Sequence, residues 1–402
     1  AGTPTQRSRR DRFRQTARGI RHPPSSRPRY CLGARAEECS TRPLTPPQPH
    51  VPIPGSFVLL AALLQVRADS QPSRVTAFPV VSYSGATGIQ YGAAAFHAFR
   101  IGRDPATRAS SDGAFFTRST KGYTKAFVQA ERWSPGNARR LRVRAEYTSH
   151  PLPFFGIGAR APDGNEEWYS LGLTSVHVQD QRALRGSTYL LAGYRFVNTR
   201  PRESETGGLV WRGELPGTTG GTTSELQLGL ARDSRDRPGA PLRGRFARVV
   251  AAVSSRSLGA DYTFSRLTVD ARRYVPLDRG HVVAAQLQYD AVSGRVPFDQ
   301  LPMIGADTAM RGYPRGRYRD RQAVTAQVEI RSAHWRRSGV VLFAGAGSVG
   351  GRLPDLLQGP WRPTAGAGLR LLLIPADRAV ARLDLAFGRG SFGVHIGLGE
   401  AF

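Results

Sequence analysis

From about position 76 onward, apolar and polar residues alternate in short runs separated by Gly, Pro and Asp turns. Side chains of a strand point to opposite faces in turn, so a period of two predicts strands with one apolar and one polar face. The pattern marks strands at 87–100, 121–134, 138–150, 166–180, 185–199, 222–234, 243–256, 260–275, 280–294, 322–335, 338–349, 362–374, 377–388 and 391–402. In the stretch after 321, Val324, Ala326, Val328 and Ile330 share one face, and Thr325, Gln327, Glu329 and Arg331 share the other. Such a strand suits a wall with lipid outside and a wet interior. Short turns at 135–137, 181–184, 276–279, 336–337 and 375–376 interleave with longer connections at 101–120, 151–165, 200–221, 295–321 and 350–361. Short turns on one side and long loops on the other predict an all-β fold, a transmembrane antiparallel β-barrel. The runs number fourteen, or sixteen if 76–84 and 112–120 are also strands, and either even count lets the barrel close.

Across the last strand, Phe392, Val394, Ile396, Leu398 and Phe402 fall on one face, with Gly393, His395, Gly397, Gly399 and Ala401 on the other. Glu400 lands on the apolar face and departs from the pattern.

Composition supports this picture. The chain has 402 residues, 40% of them hydrophobic, a mean hydropathy of −0.35 and 45 Gly. No apolar run reaches the roughly 18 residues of a membrane helix, so a helical membrane protein is not expected. The net charge of +27 raises the question of nucleic acid, but Lys occurs only at Lys121 and Lys125, and Arg spreads over every segment without clustering among aromatics. Arg inside a barrel, at its rims or facing anionic headgroups accounts for the charge, so nucleic acid is not an expected partner. Cys31 and Cys39 are the only cysteines, which leaves the barrel without a disulfide or Cys-based metal site. His97, His150, His177, His281, His334 and His395 are scattered singly, and His177 and Asp180 fall on opposite strand faces. With no Gly-rich phosphate loop either, neither catalysis nor a cofactor nor a metal is expected.

The N-terminal part reads differently. Residues 1–56 are rich in Arg and Pro; up to residue 55, eleven Arg face only Asp11, Glu37 and Glu38. Such a segment cannot bury a core, so it reads as a disordered basic tail or as sequence upstream of the true start. The first residue is Ala, which fits a truncated or misplaced start. Residues 57–66 form a largely apolar run of signal-peptide length, and 57–68 ends on a small-residue cleavage position at Ala68. A short buried helix or strand is the alternative. The barrel occupies 76–402.

The loop before Val324 carries Arg311-Gly312-Tyr313, followed on the next strand by Glu329-x-Arg331. Further motifs are Leu230-Ala231-Arg232-Asp233-Ser234-Arg235-Asp236 with Pro238 and Arg243-Gly244, and Phe154-Phe155-Gly156-Ile157-Gly158. In order and spacing this set resembles the BamA/TamA outer-membrane assembly superfamily (bacterial surface antigen family) over roughly residues 76–402, most specifically over 225–402. The resemblance implies sixteen strands, a bacterial outer-membrane location, membrane lipid as surroundings and a monomer. It also implies that the loop folds into the lumen, where Arg311 pairs with wall carboxylates, here Glu329 and Asp384. The Arg311 fork would bind a carboxylate bidentately, Gly312 would allow a tight approach and Tyr313 would add packing. Phe402 would be the C-terminal signal read by the barrel-insertion machinery. The family's usual Phe-x-Asp-x-Gly reads Phe343-Ala344-Gly345-Ala346-Gly347 here, so Gly345 stands where an anchoring Asp belongs and Gly345→Asp is expected to tighten the loop. Residues 69–75 leave no room for a POTRA module, so recruitment of unfolded outer-membrane clients would fall to a separate periplasmic partner. The function implied is help in inserting or translocating proteins at the outer membrane. The alternative is a passive pore or a structural surface antigen.

Overall fold

A computed structural model describes residues 57–60, 64–67, 74–84, 88–104, 106–305, 308–374 and 378–402. The tail 1–56 and the cleavage position at Ala68 lie outside the described residues. Sixteen strands form the barrel wall: β1 (Arg74–Ser84), β2 (Gly88–Phe99), β3 (Ser110–Ser119), β4 (Thr124–Trp133), β5 (Arg139–Phe154), β6 (Glu167–Arg185), β7 (Thr188–Ser204), β8 (Gly221–Asp233), β9 (Gly244–Ser254), β10 (Phe264–Pro276), β11 (Val282–Gly294), β12 (Gln322–Arg331), β13 (Ser338–Gly350), β14 (Arg362–Ile374), β15 (Ala379–Gly388) and β16 (Ser391–Leu398). Each pairs antiparallel with the next in sequence, so the topology is up-and-down. The larger of the two expected counts is correct. Half of the connection anticipated over 101–120 is β3; its inner face carries Gly113, Phe115, Thr117 and Ser119 and its outer face Ala114, Phe116 and Arg118, so neither face is uniformly polar or apolar. The longest loops, 155–166, 205–220, 295–321 and 351–361, all lie at one end of the barrel.

The two faces differ as lipid and lumen require. Leu226, Leu228 and Leu230 of β8 are exposed while Thr223, Glu225 and Ala231 are buried. On β15, Leu383, Leu385 and Phe387 are exposed while Arg382, Asp384 and Ala386 are buried. A belt of exposed Leu, Val and Phe on strand after strand matches a hydrocarbon solvent, and charges turned inward need partners there.

Among the described residues no ladder joins β1 to β16, so the seam between first and last strands is unsealed. The outer edge of β1 instead carries two short backbone strands: Phe57–Leu60 runs opposite Tyr83 to Val80, and Leu64–Arg67 opposite Ala77 to Arg74. On the other side of the seam, β16 stops at Leu398 instead of running to Phe402. Gly399 adopts a φ of 80°, a left-handed turn that ends a strand cheaply only in glycine. The expected outward position of Phe402 is therefore corrected. Ala401 and Phe402 turn inward and pack with Tyr274, Val282 and Ala284. The reason lies next door, since the Glu400 carboxylate could not face hydrocarbon and ends beside an inward arginine.

A lipid-facing charge tests the two-faced wall. Leu228→Arg, at a position 61% exposed in the middle of β8, is expected to cost about 2–4 kcal/mol. Denaturant titration of the barrel folded into vesicles should show the loss, and a neutral result would place that face in water.

Candidate functional site

The loop between β11 and β12 spans 295–321 and folds back along the inner wall. Near its start Phe298 is fully buried, edge-on to Phe154 at 5.4 Å and Tyr169 at 5.1 Å. A two-rung hairpin pairs Met303–Ile304 with Tyr318–Arg319. Between these, Met310 sits at φ 57°, a strained setting for a non-glycine residue, and is fully buried beside Ile304, Tyr313, Tyr318, Ala323 and Val349. That packing holds the bend which aims the next residue at the wall.

Arg311 is 1% exposed. Its Nη2 lies 2.5 Å from Glu329 Oε1 on β12 and its Nη1 lies 2.6 Å from Asp384 Oδ2 on β15. Phe343 of β13, directly opposite Glu329 in the ladder, sits under the guanidinium at 3.5 Å. The fork thus bridges one oxygen on each of two carboxylates, instead of grasping a single carboxylate bidentately. Gly368 of β14 makes room for this, because a Cβ there would lie 2.0 Å from Asp384 Oδ1.

The two following residues fasten the tip. A Cβ on Gly312 would lie 2.4 Å from the Phe387 carbonyl carbon, so the loop runs against bare β15 backbone. The Gly312 N–H donates to Thr364 Oγ1 at 3.2 Å. The Tyr313 hydroxyl donates to the Pro363 carbonyl at 2.8 Å and accepts from the Arg389 N–H at 2.9 Å. From β16, the Ser391 hydroxyl donates to the Gly312 carbonyl, and His395 Nε2 meets the Arg311 carbonyl.

The site candidates named from the sequence leave out four contributors. Phe343 is one; the others are Arg331, Arg370 and Glu400. Arg331 Nε donates to Glu329 Oε2 at 2.9 Å, and its Nη2 donates to the Phe402 carbonyl at 3.0 Å. Arg370 Nη1 donates to Asp384 Oδ1 at 2.6 Å, and its Nε donates to Glu400 Oε2 at 2.7 Å. Arg331 Nε also lies 3.9 Å from Glu400 Oε2. The six groups form a closed cycle of alternating charge: Arg311, Glu329, Arg331, Glu400, Arg370, Asp384 and back to Arg311. Arg331 and Arg370 were identifiable as inward by parity, since they stand on the same faces as Glu329 and Thr364. Glu400 was not, because its strand had already ended.

Gly345 does not leave the hole that the family pattern suggested. A Cβ there would lie 2.8 Å from the Ala326 carbonyl, so an Asp would push the β12–β13 ladder. The expectation that Gly345→Asp tightens the loop is corrected to a strained substitution.

The motif at 154–158 has a separate place, at the loop's outer end. The Gly158 N–H donates to the Arg319 carbonyl at 2.8 Å. Arg317 pairs with Asp163 and stacks on Phe155 at 4.6 Å and Tyr318 at 4.2 Å. Arg362 Nη2 donates to the Ala159 carbonyl at 2.7 Å. The long loop is therefore clamped at both its tip and its outer end.

An up-and-down barrel with an inward loop tied by arginine to its own wall defines a class of outer-membrane protein. Residues 108–402 match the Omp85 superfamily domain, and the chain belongs to that superfamily. No curated protein matches it. Among solved structures it is similar to BamA from Haemophilus ducreyi lacking POTRA domains 1–3, at 16% identity and a TM-score of 0.52, over 85% of this chain and 74% of that one. It is also similar to CdiB from Acinetobacter baumannii, at 13% identity and a TM-score of 0.53, over 86% of this chain. The match spans 64% of the CdiB chain, less than two thirds of its length. At these identities the likeness shows the fold, a BamA/TamA-like outer-membrane β-barrel.

Breaking a buried ion pair costs about 3–5 kcal/mol when a charge is left alone. After Arg311→Ala, Glu329 keeps Arg331 and Asp384 keeps Arg370, so the lower end is expected. The readout is faster tryptic cleavage after Arg315, between the released tip and the outer clamp. Arg311→Lys should rescue only partly, because a single ammonium cannot span two carboxylates as the fork does. Unchanged cleavage in Arg311→Ala would make the residue an ordinary loop charge. Gly312→Ala should also release the tip, with every charge still present.

Proposed function

We propose that this barrel assists the insertion or translocation of proteins at the outer membrane. The observation that carries the reading is the unpaired seam between β1 and β16, with the inward loop fastened on the β12–β16 side of the wall. An unpaired strand edge is a template for another extended chain, since backbone donors and acceptors there have no partner in the wall. An unfolded outer-membrane protein is the client that fits: its strands carry the same alternation and can add to that edge one at a time. A monomeric barrel suffices for this. Delivery would be the work of a separate periplasmic partner. No enzymatic, metal-dependent or nucleic-acid-binding role is proposed.

We further propose that 57–68 is a signal segment and is removed on export. The edge of β1 that carries 57–60 and 64–67 would then be bare. N-terminal sequencing of the barrel extracted from outer membranes should begin near residue 69. A product that retains the Arg-rich tail would refute processing.

The functional test is depletion of the protein, which should lower the folded amount of other outer-membrane proteins while their synthesis continues. Planar bilayers give the complementary arm. A loop clamped across the lumen should yield low, flickering conductance that rises in Arg311→Ala. A large, stable conductance in the wild type, with client levels untouched by depletion, would establish the passive-pore reading instead.

A further inference from the structure

Glu400 breaks the alternation of the last strand, and the insertion reading does not require it. We infer that Arg331 and Arg370 form a carboxylate-binding site which the chain occupies with its own Glu400, and that this occupancy holds the loop tip at the wall. The inference concerns the isolated barrel and stands whether or not the protein inserts clients.

The site is built from buried parts. Arg331 and Arg370 are 6% and 2% exposed and converge on the Glu400 carboxylate from two different strands. Arg331 Nη1 and Arg370 Nη2 are buried and make no hydrogen bond, so the pair has donor capacity beyond what Glu400, Glu329 and Asp384 use. A cavity of about 280 Å³ adjoins them, lined also by Leu242, His334 and Val380 together with Glu400. It lies at the short-turn end of the barrel, where the turns at 234–243 and 332–337 meet it, so a small carboxylate has room beside the guanidinium groups.

The coupling to the loop follows from the charge count. The cycle holds three guanidinium groups and three carboxylates, and Arg382 stands 3.8 Å from Asp384 as a further cation. Without Glu400, Arg311, Arg331 and Arg370 are left with the carboxylates of Glu329 and Asp384 and the Phe402 main-chain oxygen that Arg331 already holds. Arg331 and Arg370 are fixed on strands, whereas Arg311 rides on a loop. Excess positive charge in a confined space is therefore relieved by withdrawal of the loop tip. Glu400 acts on the loop as a positioning residue, through Arg370 and Asp384.

Chemical rescue tests this directly. In the full barrel, Glu400→Ala should raise tryptic cleavage after Arg311, which is buried in the wild type, by roughly tenfold, equivalent to about 1.4 kcal/mol of opening. Sodium acetate should restore protection, and sodium chloride at equal ionic strength should not, because acetate alone supplies the missing carboxylate. Phe402→Ala, which loosens the tail but keeps the carboxylate, should leave cleavage after Arg311 near the wild-type rate. If Glu400→Ala fails to fold, Glu400→Gln keeps the shape and loses the charge, and the same cleavage is read without rescue. Unchanged protection in the variant that folds would overturn the inference. Equal rescue by acetate and chloride would too, because it would reduce the site to general screening.

Discussion

A guanidinium held inside a membrane barrel cannot shed its charge and cannot be left without partners, and the arrangement around Arg311 follows from that constraint. Two carboxylates on strands separated by two others meet it, at 2.5 and 2.6 Å. An aromatic ring supports its face, glycine at 312 lets the backbone touch β15, and glycine at 368 clears space for the Asp384 carboxylate. None of these features would be needed if Arg311 lay in water, where a single exposed ion pair contributes about 0–1 kcal/mol. Burial raises the stakes of every contact, and so the loop has one well-defined seat.

That seat ties three parts of the protein together. The loop tip touches β12, β15 and β16, and the charge cycle continues through Arg331 and Arg370 to Glu400 behind the last strand. The last strand is also the one left unpaired at the seam. A motion of the loop and a motion of the seam edge thus act on the same few ion pairs. The outer clamp, from Arg317 and Arg362 onto the 154–163 segment, works at a distance from this cycle. It holds the other end of the same loop, so release of the tip need not free the loop as a whole.

Much of the wall could be read in the sequence because lipid imposes a period of two on every strand it touches. The pairs Leu383/Asp384 and Val328/Glu329 assign inside and outside with no knowledge of neighbours. The same rule failed where its cause was absent. In β3 the inner face mixes Phe115 with Gly113, Thr117 and Ser119 and the outer face mixes Arg118 with Phe116, so the contrast is weak and the pattern leaves this strand optional. Beyond Leu398 the chain leaves the lipid, so parity no longer says where Glu400 and Phe402 point, and both turn inward. Arg311, Glu329 and Asp384 were nameable as candidates through a family resemblance, but the bridging of two carboxylates by one fork was not.

What the sequence determined by itself is the alternation, because each strand meets hydrocarbon on one face regardless of its partners, and with it an antiparallel wall of fourteen or sixteen strands. Tertiary structure alone decided which charges meet. Arg311 and Asp384 are 73 positions apart, and they come together only because the ladder register from β12 to β15 sets the height of each inward side chain. The left-handed turn at Gly399 then brings Glu400 to the same level.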